Sequence, residues 1–336
     1  MKVLTIGGAT QDIFICCQQK DTQELTIKHK GEECLIFRCG DKIKVSELKY
    51  FTGGGSTNSA VSFKKLGFDV ECFCKIGDDE AGMHVIKKLK EESVETQKII
   101  ITNDKRSGTS FIISSESGEQ TVFTYRGTNG ELKEEDLPIE NLNVYDQLYI
   151  TSLSNNSAKL LPLIVKKAKE FNINIAINPG SGQLKRNIES LKEALPFINT
   201  FILNKYEAQT LMSSLTNENE FEIKEFVKLI LKLGPTIVAV TDGSNGVWVA
   251  KEKTLLFHPA MNIKVVGCLG AGDAFGSCFV GVLAKTGHLE NALRCGIINS
   301  ASVISQIGTK NGLLPYDKLE IELKSLDKNL LQITTL

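Results

Sequence analysis

The chain has 336 residues, 42% of them apolar and 24% charged, the balance of an ordinary soluble globular protein with one large domain or a domain plus a small appendage. Lysine and arginine total 39 against 40 acidic residues, so a general electrostatic footprint for nucleic acid is absent. No apolar run approaches the ~20 residues that span a bilayer, and nine cysteines without a disulfide-framework spacing suit a reducing cytoplasm.

In chain order, Val3-Leu4-Thr5-Ile6-Gly7-Gly8 is a short apolar run closed by glycines, as at the end of a buried parallel strand. It begins directly at the N-terminus, where no secretory signal is expected. From about residue 13 to 51 the pattern changes. ELTIKHK, CLIFRCG and KIKVSELKYF alternate polar and apolar residues and are punctuated by Gly31 and Gly40, which predicts antiparallel strands with one wet face. GTSFIISSESGEQTVFTY, from Gly108 to Tyr125, reads as a hairpin turning at Glu116-Ser117-Gly118-Glu119.

Elsewhere helices and short apolar strands alternate. STNSAVSFKKLG is a helix, VECFCKI a strand and DEAGMHVIKKLKEES a helix. Then come QLYIT, a helix over Ala158 to Phe171, INIAIN, TFILN, a helix from Lys205, another over Phe221 to Leu233, and TIVAVTDG. This alternation predicts an α/β fold: a mostly parallel central sheet with helices on both faces. The two alternating regions form a small second sheet, a lid. The tail from Lys318 is a peripheral helix or edge element.

Cys34-x4-Cys39 and Cys72-x-Cys74 lack the paired histidines of a zinc site, and Cys72 and Cys74 alternate like residues of a buried strand. His29, His84, His258 and His288 are scattered, which argues against a histidine-based catalyst.

Five constellations carry chemistry. Gly270-Ala271-Gly272-Asp273 opens a helical pattern that Gly287 stops. Small residues there leave backbone N–H groups open to an anion at the positive helix end, and Asp273 either takes part or merely caps the helix. Gly53-Gly54-Gly55 lets a substrate approach the backbone, and Asn58 offers a donor and an acceptor to a hydroxyl; a glycine loop with an N-cap is the other reading. Asp12 lies beyond the first strand, where open α/β sheets bind ligands, or is a turn residue. Asn204 and Glu207 face the same way on a first helical turn, as partners of hydrated magnesium or as a helix cap. Thr241-Asp242-Gly243-Ser244-Asn245-Gly246 is a nucleotide-phosphate loop or a hairpin turn. A GxxxxGK[ST] loop, a complete GxGxxG after the first strand and GxSxG are all missing.

Taken in order, these pieces resemble the PfkB family of carbohydrate and nucleoside kinases, with the ribokinase-like fold. FTGGGSTNSAVSFKKLG is similar to the family's N-terminal signature and GAGDAFGSCFVGVLA to its C-terminal one; IGDDEAG, YRGTN, NKYE and TDGSNG fall in the expected places. The match runs from IGGATQD to ASVISQIGTKNGLLP, which implies a single kinase domain over residues 1–336 with lid segments at about 13–51 and 106–128.

The resemblance implies transfer of the ATP γ-phosphoryl group to a hydroxymethyl oxygen of a sugar (ribose- or fructose-like), or alternatively of an adenosine-like nucleoside. Asp273 would be the base and Gly270, Ala271 and Gly272 the anion hole. Asp12, Gly54, Gly55 and Asn58 would bind substrate. Asn204, Thr241, Gly243, Gly246 and Asn299 would bind the nucleotide, with Glu207 holding Mg2+ through water. The lid implies a homodimer. Where the family has an aspartate and threonines that help hold activating potassium, this chain has Gly267, Cys268 and Leu269, which predicts little dependence on potassium. That departure also keeps open a catalytically silent binding regulator.

Overall fold

The structure, a computed structural model, describes residues 1–17, 26–29, 32–114, 120–216 and 220–336. Lys2–Ile6 forms the strand expected of its apolar run, with Val3 facing one side of the sheet and Leu4 and Ile6 the other. It pairs in parallel with Asp69–Phe73 and with Gln147–Ile150. Asn174–Ile177, Thr200–Asn204 and Ile237–Thr241 continue the parallel order. Val247–Lys251, Thr254–His258 and Gln332–Thr335 then extend the nine-stranded sheet antiparallel. The reversal follows from the connection: a parallel pair needs a crossover of a dozen or more residues, and only Asp242–Gly246 separates Thr241 from Val247.

Helices cover both faces, as a sheet buried on two sides requires. One apolar layer packs under helices Gly55–Lys65, Ala271–Thr286 and Leu289–Ile304, the other under Leu161–Glu170, Lys205–Thr216 and Ile223–Lys232. VECFCKI is broken at Cys74: its first part joins the main sheet, and Lys75–Gly77 pairs with Ile100–Thr102 instead. The tail supplies both a helix, Tyr316–Ser325, and the edge strand Gln332–Thr335. No helix among the described residues is long and apolar enough to cross a membrane.

A separate four-stranded sheet holds Thr10–Cys17, Val45–Gly53, Gly108–Ser114 and Gln120–Tyr125. Its two outer pairings are antiparallel, as expected, but the central pair, Thr10–Cys17 with Gly108–Ser114, is parallel. Both of those strands leave the main body in the same direction, one from the end of the first strand and the other from Ser107. The strand also starts at Thr10 rather than residue 13, which places Asp12 inside it. Thr26–His29 and Glu32–Leu35 pair as a further hairpin. Gly31, the start of ELTIKHK and the turn at Glu116-Ser117-Gly118-Glu119 lie outside the described residues.

Candidate active site

The site forms where the parallel strands end and the small sheet begins. Gly54 adopts φ 93, and a Cβ there would stand 2.4 Å from the Gly8 carbonyl oxygen, so the turn packs directly on the exit of the first strand. A Cβ on Gly53 would lie 1.9 Å from Asp12 Oδ2, so the bare backbone gives that carboxylate its place. Asp12 is 6% exposed and accepts a hydrogen bond from Thr10 Oγ1 at 2.8 Å. Burial raises its pKa, against the pull of Thr10, Lys310 and Ser110. Gly55 starts the helix that carries Asn58 and packs beside Thr151 at a second strand end.

Across the cleft, Gly270 takes the left-handed conformation at φ 81 and starts helix Ala271–Thr286, which Gly287 ends at φ 70. Asp273 stands in the first turn, and the helix start has no side-chain cap. Its carboxylate instead accepts a 2.7 Å hydrogen bond from Asn58 Nδ2, 215 residues away in sequence. Asn58 Oδ1 accepts from Thr309 Oγ1 at 2.8 Å, which fixes the amide's orientation and leaves its second N–H available. Burial raises the Asp273 pKa and Asp12 adds to the rise, while Asn58 and Lys310 oppose it. The first intrahelical bond runs from the Ala274 N–H to the Gly270 carbonyl, so the amides of Gly272 and Asp273 precede the helical ladder. Open space lies over Gly272.

Asn204 and Glu207 form a reciprocal cap: Asn204 Oδ1 accepts from the Glu207 N–H at 2.8 Å, and Glu207 Oε2 accepts from the Asn204 N–H at 2.9 Å. The capping reading of this pair is therefore realised. Glu207 also belongs to the electrostatics of the cleft, because burial, with a further push from Asp273, raises its pKa to about 7. Its second carboxylate oxygen fits a water-mediated contact to Mg2+, which retains water ligands. Among the described residues no group of three or more His, Cys, Asp or Glu side chains makes a direct metal cage. Gly267, Cys268 and Leu269 offer no carboxylate or hydroxyl ahead of the helix mouth.

Thr241 lies beside Asn204 in the sheet register, which brings its loop to the same strand ends. The loop is a tight hairpin turn: Asp242 N–H bonds to the Gly246 carbonyl at 2.8 Å, and Lys205 pairs with Asp242 at 2.8 Å. Gly243 faces open space, whereas Gly246 packs against His258.

Asn299 needs correction as a nucleotide contact. It is 1% exposed, its Nδ2 donates to the Ala274 carbonyl at 2.9 Å, and its Oδ1 accepts from the Leu314 N–H at 2.9 Å. With both ends of its amide on backbone, it clamps the Asp273 helix to the chain after Ile304.

Three contributors escape motif reading. Thr309 and Lys310 reach the site from GTKNG, a glycine-flanked turn after an apolar helix, which is the signal that marks them. Asn129, within YRGTN, bonds both backbone groups of Ala9 at 2.9 Å and holds the exit of the first strand. Register also sorts the aromatic residues: Phe51 and Ser110 share Asp12's face, with Phe14 one step along it, while Phe111, Phe123 and Tyr125 lie on the opposite face. Phe37 lies outside the strands.

This cleft joins a carboxylate at an open helix mouth to the Asn58 amide and a second carboxylate, Asp12. Residues 25–315 match the family described as pfkB family carbohydrate kinase. The chain belongs to that family. As a pfkB kinase it is a phosphotransferase with an alcohol acceptor, of the sugar or nucleoside class, and the family's use of ATP with a divalent metal applies to it. It is 25% identical to a ribokinase of Staphylococcus aureus over 315 residues, covering 92% of this chain and 95% of the relative. It is 26% identical to a nucleoside kinase of Methanocaldococcus jannaschii over 281 residues, covering 82% and 87%. The solved structure of Arabidopsis thaliana ribokinase complexed with ribose and ATP superposes with a TM-score of 0.78 at 18% identity, covering 97% of this pfkB kinase and 99% of that chain, which shows the shared fold.

Proposed function

We propose that this pfkB kinase transfers the γ-phosphoryl group of ATP to a hydroxymethyl group of a ribose- or fructose-like sugar. The observation that carries the reading is the Asn58–Asp273 hydrogen bond at an uncapped, open helix mouth. Asp273 orients the acceptor hydroxyl and takes its proton as the new O–P bond forms and the bond from the γ-phosphorus to ADP breaks. The backbone of Gly270, Ala271 and Gly272 receives charge from the moving group. Asp12, the bare turn at Gly54 and Gly55, and the second N–H of Asn58 bind substrate hydroxyls. Asn204, Thr241, Gly243 and Gly246 line the nucleotide side, and Glu207 would hold Mg2+ through water, an ion that would offset phosphate charge. Asn299 acts indirectly, by positioning the Asp273 helix.

The whole chain is one kinase domain, and the small sheet is its lid, excluding water over Asp12. The aromatic residues favour a sugar over a nucleoside. On Asp12's face, Phe14 and Phe51 pack edge to face at 5.3 Å, and Phe14 is 5% exposed, which leaves little free ring surface for a base. A nucleoside is the second reading, supported by the nucleoside kinase among the relatives. The lid's outer face carries exposed Leu48, Tyr50, Phe111, Phe123 and Tyr125, continuous across the register and suited to a second copy of the same face. Pairing of two such faces makes a homodimer.

ADP release measured with a panel of free sugars and nucleosides tests the reaction. Turnover with a furanose and none with nucleosides is expected; the reverse order overturns the sugar assignment, and binding without any turnover favours a silent regulator. Light scattering should give a dimer that Phe111→Asp separates.

A further inference from the structure

Strand Val45–Gly53, the Asn58 helix and the Asp273 helix meet at one loop, residues 308–312. Its Lys310 is partly buried, and Nζ donates to the Thr52 carbonyl at 2.5 Å and to Thr52 Oγ1 at 3.2 Å. Thr52 immediately precedes the glycines of the substrate turn. The neighbouring Thr309 orients Asn58, and a Cβ on Gly270 would stand 2.8 Å from its side chain, so the loop touches the start of the substrate turn, the Asn58 helix and the start of the Asp273 helix.

An ammonium has three donors, and both hydrogen-bond acceptors of this one, the Thr52 carbonyl and hydroxyl, are neutral. Its charge is therefore balanced at longer range. Asp12, from the lid strand, and Asp273, from the helix mouth, each feel Lys310 and each raise its pKa in return. Cys72 and Glu92 act on it in the same direction, and His84 feels its positive charge. Asp273 also influences Glu207 and Tyr149. Desolvation outweighs the anions and brings Lys310 down to about 8, so it remains largely protonated at neutral pH.

Two carboxylates in one pocket disfavour each other's ionisation. The proposed reaction needs both ionised, Asp12 as an acceptor for a substrate hydroxyl and Asp273 as the acceptor of a proton. We propose that Lys310 is a positioning residue of the acceptor site, whose fixed ammonium lets Asp12 and Asp273 stand together as carboxylates and ties the lid strand to the helix mouth through Thr52. This role rests on the kinase reading above.

Two measurements separate the inference from that reading. In protein labelled with 13C at lysine Cε, the Lys310 resonance, assigned by its loss in Lys310→Met, should titrate below the surface lysines. It should move lower still in Asp12→Asn and in Asp273→Asn, because each removes an anion. A resonance that titrates with the surface lysines and ignores both substitutions overturns the inference, whether or not the protein turns over any substrate. In kinetics, Lys310→Met should lower kcat by about tenfold or more and move the acid limb of the kcat profile up by about one pH unit. Lys310→Arg, which stays charged at any accessible pH, should keep the acid limb in place and remove the fall in rate near pH 8. Unmoved limbs in both variants overturn the positioning role. Absence of turnover with every acceptor overturns the kinase reading instead, and the charge assembly then stands or falls on the lysine titration.

Discussion

Gly272→Ala separates an anion cradle from a mere helix start. Gly272 lies in the first turn outside the left-handed region, and a Cβ there meets nothing within 4 Å. The protein should accept the methyl group without strain, and a helical alanine is favoured over glycine by ~0.5–1 kcal/mol, less at a helix end. The same empty space is where a phosphoryl oxygen must come to meet the backbone N–H groups. The substitution keeps the N–H itself, but a methyl group that holds the oxygen away from it should approach the effect of losing one such donor, ~10²–10³ in kcat or ~2.7–4 kcal/mol of transition-state stabilisation. Thermal melting paired with ADP release should therefore show an unchanged or higher Tm and a deep fall in kcat. Gly270→Ala is the contrasting control: at φ 81, with Thr309 Cβ 2.8 Å from the added atom, it should lose ~1–2 kcal/mol or more and melt lower. Full turnover in Gly272→Ala would refute the cradle, because the methyl group would then occupy space the reaction does not use.

Asp273→Asn keeps an oxygen for the Asn58 donor, so substrate binding should survive while turnover drops ~10²–10⁴-fold; wild-type turnover would remove Asp273 as the base. Because the base must be ionised and burial raises its pKa, activity should be present above the acid limb and be lost as pH falls through it, at a pH above the ordinary carboxylate value. With Gly267, Cys268 and Leu269 ahead of the helix mouth, replacing sodium or choline by potassium should change kcat little; a large rise would refute this. Asn299→Ala leaves the Leu314 N–H without its partner, at ~1–3 kcal/mol, and removes the clamp on the Ala274 carbonyl, so the melting temperature should drop; a selective rise in KM for ATP at unchanged stability would instead restore a nucleotide contact.

Local chemistry determined a great deal here. Alternating apolar strands and amphipathic helices identified the parallel sheet, because those periods depend on neighbours a few residues apart. The glycines flanking Ala271–Thr286 set the limits of that helix for the same reason, and the cap made by Asn204 and Glu207 is complete within one turn. Tertiary structure decided what local spacing leaves open. Asp273 could cap its own helix or face a partner until a bond spanning 215 residues joined it to Asn58. Asn299 belonged with the nucleotide by motif, yet packing of two helices enclosed it against backbone. The central parallel pairing of the small sheet joins strands almost a hundred residues apart in register, and that register alone sorts Phe14 and Phe51 from Phe111 and Phe123. Lys310 carries no periodic signal and meets Thr52 across 258 residues. A charge in a glycine turn acquires meaning only from the carboxylates that folding brings around it.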